Sequence, residues 1–348
     1  MTESLRTTGD PSTMLRSWWA HQPDRPHTEH PAVAAELFRD LAAGGRLAAP
    51  LPGHGRTQER FDLLSAIGEL DLTLARLAEA HLDAIAILAE LGVESAAAGA
   101  LWGVWAAEPP TARVDATQRA DGGWRLTGRK AWCSGAGICT NALLTAHAPD
   151  GNRLFAVDLT SERVQPAEAT WQALALTGCD TRTVNFDDAA AIAVGGPAAY
   201  LERPGFWHGA AGVAAVWYGG AVAVARALLA AAGRRTPDDL GLAHLGAIDV
   251  ALAAAAASLR SAATAFDSDP GDRGGRAAVI AREARGVVEA TATEVVERVG
   301  RALGATPLAT DHAHARRVAD LALYVRQSHA ERDLADLGRR LLDAGDRW

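Results

Sequence analysis

Apolar residues return at helical spacing between Pro31 and Glu108. The clearest stripe is Leu74, Leu77, His81, Ile85 and Leu88, one face of a helix expected to end near Gly92. The Pro109-Pro110 pair stops any helix there. From Thr111 to about Ala199 the pattern shortens to alternating runs: Ala112–Val114, Trp124–Leu126, Leu143–Thr145, Leu154–Val157 and Val184–Phe186. Turn residues divide them, notably Asp121-Gly122-Gly123, Pro149-Asp150-Gly151-Asn152 and Asp187-Asp188. An Asp-Gly pair between alternating runs signals a hairpin, because glycine adopts positive φ at little cost. From Gly205 onward four alanine-rich helical stretches follow, at about 209–232, 240–266, 274–303 and 312–343. Their short connections, such as Asp269-Pro270-Gly271, favour antiparallel packing.

The expected fold class is therefore α+β: an N-terminal helical domain, a middle antiparallel β domain and a C-terminal four-helix bundle. The boundaries expected are an extension over 1–30, helices over 31–108, strands over 109–200 and the bundle over 201–348.

Composition narrows the function classes. Apolar residues make up 49% of 348 and charged residues 22%, enough for a large core. With 34 basic and 42 acidic side chains the net charge is −8, which argues against a nucleic-acid or membrane-surface partner. Three cysteines, Cys133, Cys139 and Cys179, form no C-x-x-C pair, so neither a disulfide scaffold nor a zinc ribbon is expected, and a reducing, cytoplasmic setting is. The N-terminal stretch lacks the apolar segment of a secretory signal. The uncharged run Gly209–Ala225 is short for a bilayer span and reads as a buried helix.

Common catalytic signatures are missing. Gly135-Ala136-Gly137 starts like a dinucleotide fingerprint but has no third glycine, and no P-loop or G-x-S-x-G elbow occurs. His312 and His314 form H-x-H beside a helix start without a matching carboxylate, so they read as solvated capping residues and no metal is expected. Paired Glu-x-x-His repeats of a di-iron bundle are also absent. An organic cofactor is the remaining source of chemistry.

The α–β–α order and several segments resemble the acyl-CoA dehydrogenase superfamily of flavoproteins. Trp124 to Gly135 (WRLTGRKAWCSG), followed by Asn141 to Ala146, is similar to the family's paired strands; Leu176-Thr177-Gly178 and Val184-Asn185-Phe186 fit two later ones. The run Arg316 to Arg339, with Asp320-Leu321 and Leu337-Gly338-Arg339, resembles the last helical region. The resemblance implies FAD as cofactor, with Trp132 and Ser134 bordering the flavin and the serine hydroxyl near its reactive nitrogen. It places Val104, Ala106 and Ala107, in the stretch ending Glu108-Pro109, along the pyrimidine edge. Ala107 stands where the family has threonine, so backbone amides would serve instead. Arg234, Arg235 and Thr236 match the place where an arginine meets a neighbouring subunit's FAD diphosphate. A planar guanidinium suits phosphate there, and a homodimer or homotetramer is implied.

The catalytic base departs from the family. Ser328 stands eight residues after Asp320, where the commonest pattern has glutamate, and Val213 occupies the other family position. In the superfamily's two-component monooxygenase branch, histidines from two regions flank the flavin, and His81 and His329 fall in those regions. His329 continues the helical face of Val318, Leu321, Ala322 and Val325. With Ser134 they are the expected catalytic residues, since imidazoles hold or release protons near neutral pH. His208 is a further candidate, and Glu331 and Asp333 are possible displaced carboxylates.

The expected function is an FAD-dependent oxidoreductase acting on an acyl thioester or related small molecule. A two-component monooxygenase, using O2 and reduced flavin from a reductase or electron-transfer partner, is the alternative; a redox-inactive scaffold is a third.

Overall fold

The computed structural model describes residues 11–22, 27–94, 99–168, 170–234 and 236–345. Arg235 and parts of the 1–30 extension lie outside them. Four helices come first: α1 (Pro11–Ala20), α2 (Pro31–Ala43), α3 (Thr57–Leu70) and α4 (Leu72–Glu90). Asp71 starts α4 by accepting the Leu74 amide at 2.9 Å, relieving one of the unpaired donors at a helix start. The apolar stripe of α4 buries Leu74, Leu77, His81 and Leu88, and a core of Phe38, Phe61, Leu63 and Ile67 fills the space between the helices.

Seven strands form one sheet: β1 (Trp102–Trp105), β2 (Val114–Gln118), β3 (Trp124–Cys133), β4 (Asn141–Ala148), β5 (Gly151–Asp158), β6 (Val164–Pro166) and β7 (Arg182–Val194). Pairing runs β4-β2-β3-β7-β5 and returns from β5 to β4, so the sheet closes on itself around Leu126, Leu144, Phe155 and Val184. Closure removes the exposed edges that an open sheet of this size leaves.

Two expectations need correction here. The sheet is not wholly antiparallel, because β1 and β2 both pair parallel to β4. Trp102–Trp105, grouped by sequence with the helices, is a strand. Its four residues are too few to show an alternation, and it enters the sheet through a distant partner, Trp102 opposite Asn141.

Long helices return with α5 (Ala199–Glu202), α6 (Gly205–Arg234), α7 (Asp239–Ser268) and α8 (Ala277–Leu303). Then come α9 (Thr306–Thr310), α10 (His312–Tyr324) and α11 (Glu331–Ala344). Helices α3 and α6 cross very closely: a methyl on Gly219 would stand 2.0 Å from the Ser65 carbonyl oxygen, and one on Gly68 2.4 Å from that of Val216. Among the described residues, two helices, α6 and α7, have the length and hydropathy of a membrane span; the apolar window of α6 is 56% buried and that of α7 11%.

The fourth expected stretch, 312–343, is not one helix. It breaks after α10 into a 3-10 turn, Val325–Gln327, and resumes at α11. No proline or glycine marks the break. The Ser328 hydroxyl accepts the Ala330 amide at 3.2 Å, and Arg285, distant in the chain, donates to the Gln327 carbonyl at 3.4 Å, so side chains compete successfully for the backbone.

Candidate active site

A cavity of about 1060 Å³ lies between one wall of the sheet and the helices. Trp132 and Ser134 from the end of β3, Val104 to Glu108 from β1 and the segment after it, and Leu176, Cys179 and Thr181 line one side. Helix α4 contributes Arg76, Glu79 and Asp83, the later helices add Tyr200, Trp207, Arg282, Arg285 and Tyr324, and Arg203 comes from the link between α5 and α6.

The sheet wall is shaped by a fault in the ladder. The β3–β7 register shifts between Lys130 and Cys133, and Trp132 there takes φ 58°. A bulky residue in the left-handed region is strained, a condition that persists where surrounding structure enforces it and that clusters at ligand sites. The bulge turns the indole outward, 59% exposed, onto the cavity. Two residues on, the Ser134 hydroxyl meets that of Thr181 at 3.1 Å, and Trp105 donates its indole N–H to the Ser134 carbonyl at 2.9 Å. The 3-10 turn Thr177–Cys179 completes this wall, flanked by Leu176 and Asp180, both with positive φ.

The helical wall is charged. Arg76 pairs with Glu79 at 2.8 Å, one turn along α4, and Tyr324 donates its hydroxyl to the same carboxylate at 3.2 Å. Asp83, a further turn on, faces Arg203 at 3.9 Å; Arg203 pairs with Glu90 at 2.7 Å. Burial lifts the Glu79 carboxyl above its ordinary range, the neighbouring Asp83 adding to the effect and Arg76 opposing it. Burial lifts Asp83 as well, against the pull of Arg203 and Arg60. Arg282 stacks over Trp207 at 4.2 Å and pairs with Asp333 and Asp336 at 3.5 and 3.1 Å. Arg285 lies over Trp217 at 4.6 Å and donates to the Ala210 carbonyl at 2.8 Å. Behind the lining residues Thr145 and Glu108, the single lysine, Lys130, is buried and donates to the Thr145 carbonyl and hydroxyl at 2.7 and 2.8 Å, while Thr145 donates its hydroxyl to Glu108 at 2.6 Å.

The structure brings together most of the residues singled out by sequence. Val104, Ala106, Ala107, Trp132, Ser134 and His329 all line the cavity, as does Asp333. His81 does not. It lies buried behind the wall, accepts the Trp102 amide at 3.3 Å on Nδ1, and packs edge-on against Phe38 with ring centres 5.8 Å apart. His208 is buried too, its ring 4.4 Å from Phe266. His329 reaches the cavity from the break between α10 and α11 rather than from a helix face, with its side chain 73% exposed and Nδ1 3.8 Å from Asp333. Ser328 and Glu331 do not line the cavity, and Val213 does. Arg234, the last residue of α6, and Thr236, just past it, are exposed and lie outside the cavity.

The residues that sequence reasoning missed are Arg76, Glu79 and Asp83 on α4, and Arg203, Arg282, Arg285 and Tyr324 farther along the chain. Glu79 and Asp83 sit four apart and so share a helix face, next to a stripe whose histidine drew attention instead. Two carboxylates and an arginine inside an otherwise apolar helix are the signal that was available.

Neither a protein-family model nor a curated protein sequence matches the chain. Solved structures do. KijD3, in complex with FMN and dTDP-3-amino-2,3,6-trideoxy-4-keto-3-methyl-D-glucose, superposes with TM-score 0.78 at 22% identity, covering 97% of this chain and 92% of that one. FMN-bound TdsC from Paenibacillus sp. A11-2, a dibenzothiophene monooxygenase, gives TM-score 0.79 at 17% identity and 97% coverage of each. Butyryl-CoA dehydrogenase from Megasphaera elsdenii gives 0.78 at 15%, covering 98% of this chain and all (100%) of that one. The chain therefore has the acyl-CoA dehydrogenase fold, in agreement with the resemblance of its strand segments, and at these identities the likeness is one of fold.

Proposed function

We propose that the chain is a flavin-dependent oxidoreductase acting on a small polar substrate with anionic character. The observation that carries this is Trp132: a strained, largely exposed indole aimed into a cavity whose opposite wall holds arginines and carboxylates. At about 1060 Å³ the cavity reaches the upper end of the roughly 300–1,000 Å³ usual for ligand sites, with room for a ring system and a substrate together. The indole offers a flat apolar surface, the Ser134 hydroxyl a donor or acceptor beside it, and the segment Ala106–Ala107, past the last β1 ladder pair, backbone amides for carbonyl oxygens. A flavin held there supplies two-electron redox chemistry.

FMN is the flavin of this proposal, where sequence pointed to FAD. FMN is the cofactor bound in KijD3 and TdsC, and Arg234 and Thr236, matched to an FAD diphosphate contact, lie outside the cavity.

The chain's own residues divide the remaining work. Arg203, Arg282 and Arg285 supply positive charge for substrate anchoring, each stacked on an aromatic ring that fixes the guanidinium plane. Glu79 and Asp83, their pKa values raised by burial, are the carboxyl groups placed to hold or accept a proton in the cavity. The oxygen-using reaction is favoured because both carboxylates already face arginines and no free carboxylate occupies the position of Ser328 or Val213. A second reading, desaturation of an acyl thioester, is supported by the presence of those same carboxylates in the cavity, where proton abstraction needs a base.

Cytoplasmic location belongs to this proposal, supported by three buried free thiols. So does a homodimer or homotetramer, supported by Leu240, Leu242 and Val250 standing exposed on α7.

The test uses a panel of dTDP-amino sugars, indole-type heterocycles and short acyl thioesters. With reduced FMN supplied by a reductase, substrate-dependent O2 consumption above the flavin-only rate is expected. Anaerobic bleaching of oxidised flavin by an acyl thioester would instead establish desaturation. Colourless protein that binds neither FMN nor FAD would refute both and leave the scaffold reading.

A further inference from the structure

We propose that His27, Glu29 and His312 form a site for a zinc-type divalent cation, fastening the segment before α2 to the start of α10. This goes beyond the proposed function and does not depend on it. His27 Nδ1 lies 2.9 Å from Glu29 Oε1, and His312 Nε2 lies 3.3 Å from the same oxygen. One ligand atom from each of the three falls within 4.8 Å of the others. A tetrahedral zinc with bonds of about 2.0–2.1 Å has ligand–ligand edges of roughly 3.3–3.4 Å, so small side-chain rotations close the set.

Donor chemistry selects the ion. Two imidazoles and one carboxylate suit zinc and its neighbours, whereas magnesium and calcium prefer all-oxygen shells. The side chains of His27 and His312 are 70% and 71% exposed, which leaves the fourth position open to water. The carboxylate is also oriented from behind: Arg316 stands 3.7 Å from Glu29 Oε2 and is itself held and neutralised by Asp71 at 2.6 Å.

Sequence reasoning paired His312 with His314 and expected no metal. Residues two apart on a helix project about 200° from one another, and His314 is accordingly buried on the other side. The partners of His312 lie far away in the chain, Glu29 at a separation of 283 residues.

The site bears on the cavity through the backbone. The Glu29 carbonyl accepts the Thr177 hydroxyl at 3.0 Å, and the Thr28 carbonyl packs so closely on Gly178 that a methyl there would stand 1.7 Å from it. These contacts back the 3-10 turn whose flank and end, Leu176 and Cys179, line the cavity. An ion on Glu29 would stiffen that wall.

The test is titration calorimetry of the chelator-treated full-length chain with Zn2+ alone, on the wild type, His27→Ala, His312→Ala and the surface control His54→Ala. One ion per chain at micromolar affinity or tighter is expected. Each of the two site variants should weaken binding by at least about tenfold, and the control should leave it unchanged. Zn2+ should raise the melting temperature of the wild type and control only. Both site histidines are exposed, so each variant should fold, as circular dichroism would check. Absence of binding, or binding unaffected by either site substitution, would overturn the proposal.

Discussion

At the residue scale the helical wall of the cavity depends on pairing between largely buried side chains. Removing one member of a buried ion pair typically costs about 3–5 kcal/mol, because the other charge is left without compensation. Arg76→Leu, which strands Glu79 with only the Tyr324 hydroxyl, should therefore lower unfolding free energy by about 3 kcal/mol in denaturant melts. A far smaller loss would mean that water reaches Glu79. His81 supplies a pH signature. Burial pushes its pKa down to about 4 from 6.5, so the folded chain binds its proton less readily than the unfolded chain. Its contribution is fully present above pH 6.5 and is lost as pH falls toward 4, by up to about 3 kcal/mol. Measured as a difference from His81→Asn, which keeps an acceptor for the Trp102 amide, the wild type should lose stability relative to the variant across that window. Parallel pH curves would contradict the buried, neutral imidazole.

At the element scale, position in the fold decides which sequence signals were legible. The stripe of α4, the strand runs around Trp124, Leu143, Leu154 and Val184, and the long alanine-rich helices α6 to α8 follow from local periodicity. β1 and the break at 325–330 do not, because each is settled by distant partners: Asn141 opposite Trp102, and Arg285 on the Gln327 carbonyl. This is why His329 reaches the cavity by a different path from the helical face that sequence assigned to it. The crossing of α3 and α6 is a long-range feature too, yet it leaves a local trace in Gly68 and Gly219. Gly219→Ala should force these helices apart and cost about 1–3 kcal/mol, read as a lowered denaturation midpoint. An unchanged midpoint would show that the helices do not meet so closely.

At the scale of the whole molecule, the order of helices, strands and helices was legible, and so was most of the sheet side of the cavity. Trp132, Ser134 and Val104 to Ala107 belong to contiguous segments with recognisable motifs. The opposite wall draws Arg76, Glu79 and Asp83 from α4 and single residues, Arg203, Arg282 and Tyr324, from a turn and two later helices, four separate stretches in all. No spacing in the chain announces such a gathering. The exposed apolar residues of α7 set a further expectation: sedimentation should show a dimer or tetramer, and Val250→Glu should shift it toward monomer. A monomeric wild type would contradict the proposed assembly.

The most direct measurement is a titration of FMN and FAD into the purified protein, followed by flavin absorbance and fluorescence, for the wild type and Trp132→Ala. One FMN per chain is expected for the wild type, with affinity reduced at least about tenfold in the variant, as for loss of an aromatic stacking surface worth about 1–3 kcal/mol. No spectral change with either flavin, or equal affinity in the two proteins, would contradict a cavity built around Trp132 to hold a flavin.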